Sequence, residues 1–555
     1  MNYVIIFFIC FTVTAFATPF IINILNKSGI VDKPDERKVH SIIIPRMGGI
    51  IIFPVTILLI ISFYPDLSSI RLFLISIVFF LAAGVWDDII SIHWAKKAFI
   101  HSWGVIILMI FLESHIKSLS FFLIEIPRPF DYFILFLFIL GTVNSFNLID
   151  GLDGLAAGYS LLVVLALFFI AYGTGNMLVL IISTSLLGSL FAMLRYNSFP
   201  AVMFLGDTGS ILIGALIVFS SLSLSINSEF TLDLTFPVLL LGVSIIDTVK
   251  VMAIRILETK NPFLPDKKHL HHLLIGNNIR HKTAVFIIHL VTIPFLINAI
   301  FYFYNNHIIN IIIFVLFAFV ILNAKKIIGL QHYYLLNVKN RLVNILGYKK
   351  YILPFYIKLI LPASLLFFFL FLSTSVGYIS SEKLSWILLF ISIGVLLLAI
   401  SVWHEIKERP QASLYFFLNI AFILFSNQYY SPDQLNVIDF INLSPFLLKF
   451  IFYFFLFSVF IFVLLRGNLV SRELNFLNGT DLFLLSAVIL VFLMQNIFGI
   501  RTITHNYNFT LFFTVILYFW YKIYSLMNYK FSRVLYYLLF AVNLLTLSIS
   551  LFYSN

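Results

Sequence analysis

Long apolar windows recur along this whole chain, and they constrain its fold more than any other feature. The first is YVIIFFICFTVTAFATPFIINIL, near the N-terminus. A window of about 17–22 apolar residues is long enough to cross the hydrocarbon core of a bilayer as a helix. About eighteen such windows occur along the sequence, which predicts an all-α, polytopic membrane protein.

The composition supports this class. The chain is 61% hydrophobic and only 11% charged, whereas about a quarter of the residues of a soluble domain are charged. The single cysteine, Cys10, excludes an intramolecular disulfide and a cysteine-based zinc site. The first window follows an uncharged start and is longer than the apolar region of a signal peptide, so we expect it to be retained.

The basic residues predict the orientation of the chain. The net charge is +11, and in a membrane protein such an excess indicates cytoplasmic loops rather than a nucleic-acid partner. The loops at 27–46, 96–97 and 255–282 are basic, whereas YPDLSSI, YGTGN and SINSEFTLDLT contain no Lys or Arg. Positive residues stay inside, so the N-terminus is predicted to lie outside and the odd-to-even turns to be cytoplasmic.

Polar stretches that are unusual in so apolar a chain fall on this predicted cytoplasmic face. They are VDKPDERKVHSIIIPRMGG at 31–49, the Asp87–Asp88 pair at the end of the third span, NSFNLIDGLDGLAAG at 144–158, RYNSFPAVMFLGDTGS at 195–210, Asp247 near the end of the ninth span, and NPFLPDKKHLHHLL at 261–274. Each also has a structural interpretation, as a solvated helix cap, a turn with an N-cap, or a solvated loop. Ionisable groups at membrane depth usually mark function, and their shared face favours one site.

The residue types in these stretches indicate phosphoryl chemistry. Carboxylates suit a hard cation such as Mg²⁺, which is held by one or two of them together with substrate phosphates. Glycines allow close approach of the backbone, and basic residues contact phosphate oxygens. We therefore predict transfer of a phosphate-linked group from a nucleotide to a lipid phosphate at the membrane surface.

The same residues resemble a known family. Residues 1–325 resemble the polyprenyl-phosphate N-acetylhexosamine-1-phosphate transferases, and NSFNLIDGLDGLAAG matches their pattern N-A-x-N-x-x-D-G-x-D-G-L-A-x-G, with Ser145 in place of the common Ala. The resemblance implies catalytic roles for Asp87, Asp88, Asp150, Asp153, Asp207 and His271, substrate contacts by Arg46, Lys97, Asn144, Asn197, Phe204, Arg255, His269 and His272, and Mg²⁺ ligation (with Mn²⁺ as an alternative) by Asn147 and Asp207.

The resemblance also implies a reaction. It is transfer of N-acetylhexosamine 1-phosphate from a UDP-sugar to undecaprenyl phosphate with release of UMP, which initiates cell-surface polysaccharides such as O-antigen at the bacterial inner membrane. The loop PFLPDKKHLHHLL is similar to that of members that use UDP-GlcNAc, although another UDP-amino sugar stays open. A homodimer stays open as well. The rival interpretation is a cation-coupled transporter, which would place carboxylates in helix breaks near the midplane.

The length exceeds what this resemblance needs. We predict a transferase core of about eleven spans over residues 1–330, followed by an accessory region of about seven spans over residues 331–555. Typical family members end near the start of this second region, and its role cannot be read from its sequence.

Overall fold

The computed structural model describes residues 3–32, 43–261, 268–305 and 308–324, and the predicted accessory region lies outside the described residues. The described part is mostly helical. The helices are α1 Tyr3–Ser28, α2 Gly49–Phe63, α3 Arg71–Ile90, α4 Trp94–Glu113, α5 Phe130–Ile149, α6 Leu155–Thr174, α7 Met177–Asn197, α8 Gly206–Leu224, α9 Thr235–Leu240, α10 Gly242–Leu257, α11 Leu270–Gly276, α12 His281–Asn305 and α13 Ile308–Leu322. The strands are β1 Val31–Asp32, β2 Ile44–Pro45, β3 Ser118–Phe121, β4 Ile124–Ile126 and β5 Thr231–Asp233.

Several of these helices are long and apolar enough to cross a membrane. In the described part of the chain there are 8 of them, namely α1, α3, α4, α5, α6, α7, α8 and α12, and α2 and α13 are shorter apolar helices. The chain is therefore a multi-pass membrane protein of the predicted mostly helical class. The total of about eighteen spans and the outside N-terminus remain predictions.

Three helices form the centre of the described bundle. The buried share of the apolar window is 78% in α6, 83% in α7 and 89% in α8. In α1, α3, α4 and α5 it is only 28% to 39%. Helix α1 packs against α7, and α3 and α5 pack against α8. The ring of Phe219 in α8, for example, stacks on Phe73 of α3 with 3.9 Å between the ring centroids. Within the described residues, α8 is therefore surrounded by other helices, whereas α1, α3, α4 and α5 lie at the outside of the described bundle.

Two glycines allow other helices to reach the first turn of α8. A Cβ atom added to Gly84 of α3 would lie 2.7 Å from the carbonyl oxygen of Asp207, and one added to Gly49 of α2 would lie 2.6 Å from the carbonyl carbon of Thr208. Such contacts leave no room for a side chain, so the start of α8 lies directly against the backbones of α2 and α3. This contact fixes the position of Asp207.

The strands are an addition to the predicted helical class. β3 pairs antiparallel with β4 and parallel with β5, so that a small sheet follows α4 and precedes α9 at the opposite end of the helices from the start of α8. The tip of the β3–β4 hairpin places Phe122 and Leu123 at positive φ. Neither residue type is usual at such a tip, which is why the sequence did not indicate the turn.

Candidate active site

An oxygen-lined cluster forms where α3 and α5 end and α4 and α8 begin. At its centre, the ammonium of Lys97 lies 3.1 Å from Oδ2 of Asp87 and forms an ion pair with Asp207. The amide of Asn147 completes the set: in the orientation that satisfies all its neighbours, its oxygen lies 3.0 Å from Nζ of Lys97. Four residues predicted to belong to one site therefore touch one another.

The other end of the Asn147 amide holds α8 in place. In the same orientation its nitrogen donates to Asp207 at 3.2 Å and to Oγ of Ser210 at 2.9 Å. Asn147 lies in the last turn of α5, and Ser210 lies in the second turn of α8. Asn144 is half-buried one turn earlier on the same face of α5. The cluster thus joins α5 to the start of α8.

Asp88 caps α8 from a different helix. Its carboxylate accepts hydrogen bonds from the backbone N–H groups of Asp207 at 3.1 Å and Thr208 at 2.8 Å, and from the Thr208 hydroxyl at 2.6 Å. The side chain is 2% exposed, and Nε of Arg46 lies 3.9 Å away. The first N–H groups of a helix lack intrahelical partners, so Asp88 supplies what an N-cap side chain normally supplies. Its visible role is to hold Asp207 in place.

This geometry predicts a supporting role for Asp88, which two substitutions distinguish from the role of a general base. Asp88→Asn keeps one acceptor oxygen and leaves only one of the two N–H groups unpaired, so we expect transfer to fall by less than about tenfold, or 1.4 kcal/mol of barrier. Asp88→Ala leaves buried N–H groups unpaired, and we expect it to lose about 1–3 kcal/mol of stability and more activity. Thermal unfolding in detergent and initial transfer rates measure the two effects. Equal inactivity of both variants at unchanged thermal stability would instead indicate a base.

The loop between α5 and α6 is tied to the loop between α7 and α8. Oδ2 of Asp153 accepts from the backbone N–H of Ala201 at 3.0 Å. The Asn197 amide, 1% exposed, accepts from the N–H of Gly154 and donates to the carbonyl of Met203, both at 3.1 Å. The structure thus shows Asn197 as a link between two loops, and its contact with substrate stays a prediction.

Asp150 follows the last residue of α5 as its C-cap. It lies near both Asp88, which caps α8, and Asp153, which ties the two loops together. Loss of solvation on burial raises the pKa of its carboxyl to about 7, and the nearby negative charges of Asp88 and Asp153 act in the same direction. Near neutral pH the protonated and the ionised form of this carboxyl are therefore both populated, so it can release or accept a proton. A poised carboxyl of this kind is typical of catalytic sites.

The histidine loop is anchored by Asp247. One oxygen of Asp247 lies 2.9 Å from Nδ1 of His269, and the other accepts from the backbone N–H of Leu270 at 2.8 Å. Asp247 lies in the second turn of α10, because the segment predicted as the ninth span is divided at Leu241 into the helices α9 and α10. From there it reaches the start of α11.

His271 connects this loop to the loop after α5. A Cβ atom added to Gly151 would lie 2.7 Å from Cε1 of His271 and closer still to Nε2, so the imidazole rests on the backbone of Gly151. The ring is 2% exposed and lies parallel to His269, with 5.9 Å between the ring centroids. Burial, together with His272, His269 and His281, holds the pKa of His271 well below its ordinary value. The ring is therefore neutral near pH 7.

The remaining predicted residues lie around this arrangement. Arg255 is buried and donates to the carbonyl of Asn261 at 2.7 Å. Phe204 is half-buried, and its backbone is held by Pro45 and Gly48. His272 packs against His271 with 4.2 Å between the ring centroids. Residues 33–42 of the first basic loop and residues 262–267 lie outside the described residues.

Comparison with known proteins places the chain in a family. The profile of glycosyl transferase family 4 matches residues 70–225. A "Probable undecaprenyl-phosphate N-acetylglucosaminyl 1-phosphate transferase" of Bacillus subtilis is 34% identical over 304 residues, which are 54% of this chain and 84% of that protein. The chain belongs to glycosyl transferase family 4.

Two further relatives are more distant. An "Undecaprenyl-phosphate alpha-N-acetylglucosaminyl 1-phosphate transferase" of Escherichia coli K12 is 26% identical over 275 residues, 48% of this chain and 74% of that protein. A protein of the same name from Salmonella typhi is 28% identical over 280 residues, 47% of this chain and 73% of that protein. The family profile includes the part of the chain from Asp87 to Asp207, whereas the histidine loop lies beyond it.

The donor set of this family 4 member fits a hard divalent cation. Asp207 offers a carboxylate and Asn147 a carbonyl oxygen, and a positively charged group, the ammonium of Lys97, already lies among these oxygens. Oxygen ligands of this kind are those that Mg²⁺ prefers, with substrate phosphate completing its shell. The described residues contain no group of three or more His, Cys, Asp or Glu side chains that could hold a metal, so the protein would supply only part of the shell.

Sequence reasoning missed several residues that the structure brings to the site. Thr208 and Ser210 contact Asp88 and Asn147; the structural interpretation of GDTGS as a turn with an N-cap predicted a polar start of α8, but not these two partners. His281 begins α12, and its ring packs against Phe199 with 4.5 Å between centroids. No signal in the sequence linked these two residues, because 82 positions separate them and only the tertiary fold joins them.

Proposed function

We propose that the protein transfers N-acetylglucosamine 1-phosphate from UDP-GlcNAc to undecaprenyl phosphate and releases UMP. The supporting observation is the continuous site that runs from Asp87, Lys97, Asn147 and Asp207 through the loop after α5 to His271. The names of the related proteins supply the sugar and the lipid. The site is proposed to face the cytoplasm of a bacterial inner membrane, where the reaction would begin the synthesis of a surface polysaccharide.

The mechanism assigns each group of residues a task. An oxygen of the lipid phosphate attacks the β-phosphorus of the donor, the bond from that phosphorus to the bridging oxygen breaks, and UMP leaves. Asn147 and Asp207 would hold Mg²⁺, which when bound supplies charge neutralisation on the pyrophosphate. Lys97 and Arg46 contribute positive charge for phosphate oxygens, and His271, which rests on the backbone of Gly151, supports the histidine loop at the donor.

The acceptor does not need a strong base. The second pKa of a phosphomonoester is about 6, so the lipid phosphate is largely dianionic at neutral pH. Asp87, which already holds Lys97, therefore orients the acceptor end of the site. Asp88 supports the start of α8.

A panel of donors tests this proposal. We expect the purified chain to release UMP and to form a lipid product from UDP-GlcNAc and undecaprenyl phosphate. UDP-MurNAc-pentapeptide should not react, and a tunicamycin-like nucleoside should inhibit, as the family resemblance implies. If only another UDP-amino sugar gives product, that sugar replaces UDP-GlcNAc as the proposed donor. Exclusive use of the pentapeptide donor would overturn the proposal.

The alternative is a cation-coupled transporter. In the described part of the chain, Asp87, Asp88, Asn147 and Asp207 lie at helix ends rather than in breaks near the midplane, which disfavours transport. UMP release that depends on the UDP-sugar distinguishes the two functions. The division into a core at 1–330 and an accessory region at 331–555 stays a prediction.

A further inference from the structure

Lys97 lies at the point where a metal cation would be expected. Its side chain is 12% exposed, and its ammonium touches one oxygen each of Asp87, Asp207 and Asn147. A lysine ammonium is a compact point charge, and it attracts the same oxygens as a small divalent cation. Two such charges cannot share one set of oxygens, because each would repel the other at contact distance.

Two further basic residues of the described part of the chain lie close by in sequence or space, and neither is seen to contact Asp87 or Asp207. Arg46 donates to the hydroxyl of Ser91 at 3.3 Å and lies nearest to Asp88. Lys96, the sequence neighbour of Lys97, is exposed. Among the described residues, Lys97 therefore supplies the positive charge that contacts both Asp87 and Asp207.

We propose that Lys97 is a resident counter-ion that occupies the divalent-cation position of the free protein and is displaced when the metal enters with its substrate. This inference rests on the proposed function for the placement of the metal at Asn147 and Asp207. Binding of the metal and contact of Lys97 with Asp207 exclude each other. The free protein consequently binds a divalent cation weakly, and the nucleotide phosphates, which attract both cations, drive the exchange.

The geometry gives Lys97 a place to go. Asp87 contacts Lys97 independently of Asp207, and its other oxygen accepts from the backbone N–H of Ile92 at 2.8 Å, so Asp87 stays fixed while the lysine moves. The flexible stem of Lys97 begins in the first turn of α4 and can turn about this anchor. The ammonium then leaves Asp207 and remains available to phosphate oxygens beside Asp87. The ammonium of Lys97 thereby exchanges a carboxylate of the protein for phosphate oxygens of the substrate.

Mn²⁺ binding to the full chain tests the exchange without any turnover. The free Mn²⁺ concentration is followed by electron paramagnetic resonance as the detergent-solubilised protein is titrated, with neither donor nor acceptor present. We expect Lys97→Met and Lys97→Gln to bind Mn²⁺ at least about tenfold more tightly than the unmodified protein. Lys96→Met, which removes the same charge one residue away, should leave the affinity unchanged. Adding Asp207→Asn to Lys97→Met should abolish the gain.

Thermal unfolding provides a second measurement. Without Mn²⁺, Lys97→Met should melt at a lower temperature than the unmodified protein, because Asp87 and Asp207 lose their counter-ion. Mn²⁺ should raise the Tm of Lys97→Met more than that of the unmodified protein, since a ligand stabilises the state that binds it. Should Lys97→Met fail to fold, Lys97→Gln keeps a polar group at this position and carries the test.

The outcomes separate this inference from the proposed function. Equal Mn²⁺ affinity of the unmodified protein and both Lys97 variants overturns the exchange, and so does an equal gain in Lys96→Met, which would reveal a general field effect. Absence of Mn²⁺ binding in every variant overturns it together with the placement of the metal. The proposed function fails on a different result, namely no UMP release from any UDP-sugar in the donor panel.

Discussion

Replacing Asp207 by Asn should reduce sugar-phosphate transfer at least about a hundredfold, equivalent to about 2.7 kcal/mol of activation barrier. Asp207 is the carboxylate that both Lys97 and Asn147 contact, and it is the charged member of the proposed metal pair. The substitution keeps the shape of the side chain. It also keeps the backbone N–H that donates to Asp88, so the cap of α8 survives and the protein should reach the membrane in normal amounts.

A matched substitution controls for this variant. Asp66 lies in the exposed loop between α2 and α3, at the opposite end of the helices, and its Oδ1 accepts from the backbone N–H groups of Ser68 and Ser69. Asp66→Asn should leave transfer within about twofold of normal, or 0.4 kcal/mol. Initial rates are measured in membranes at several Mg²⁺ concentrations and normalised to inserted protein. Near-normal turnover of Asp207→Asn at low Mg²⁺ would remove Asp207 from the metal site.

The convergence of distant polar stretches could be predicted because helices that cross a membrane alternate in direction. The end of one span and the start of the next lie on the same side, so Asp87, Lys97, Asn147 and Asp207 were expected on one face. The structure brings these four residues into contact. The side of the membrane on which this end of the bundle lies remains a prediction, as do the individual roles of the residues.

The division of labour between Asp87 and Asp88 could not be predicted. Successive residues of a helix point about 100° apart, so two adjacent carboxylates at the end of α3 must face different neighbours. One reaches Lys97 and the other reaches the first turn of α8, but a single sequence does not say which neighbour lies on which side. For the same reason, the burial of Asn197 between two loops depends on tertiary contacts that no local pattern encodes.

The fold was predictable where hydrophobic length decides it. Helices such as α6 and α7 are continuous apolar segments, and their presence follows from the cost of exposing backbone polar groups to lipid. The three-stranded sheet was not predicted, because each of its strands has only three or four residues and so shows no clear alternation. The break between α9 and α10 was not predicted, because the residues on both sides of Leu241 are apolar. This break places Asp247 in the second turn of α10.

Replacing Gly151 by Ala should cause the second large loss of activity, because Gly151 is in contact with His271. An alanine Cβ at position 151 would overlap the imidazole ring, and atoms of real structures do not approach this closely. We expect Gly151→Ala to displace His271, and with it the histidine loop, and to lower kcat/KM for the UDP-sugar at least about thirtyfold, or about 2 kcal/mol. The KM for the lipid acceptor should change little. Steady-state kinetics with each substrate varied in turn measure both values.

Two further variants show whether the ring is the cause. Gly141→Ala in α5 adds a methyl group where nothing lies within 4 Å, so it should keep normal kinetics and gain some helix stability, by up to about 1 kcal/mol. His271→Ala alone should cost at least about tenfold, because the neutral ring that supports the loop is lost. If Gly151→Ala acts only through that ring, the double variant Gly151→Ala/His271→Ala should be no slower than His271→Ala, since the two changes then remove the same interaction. Additive losses would mean that Gly151 itself approaches the donor, and that the space beside its backbone is occupied by substrate as well as by His271.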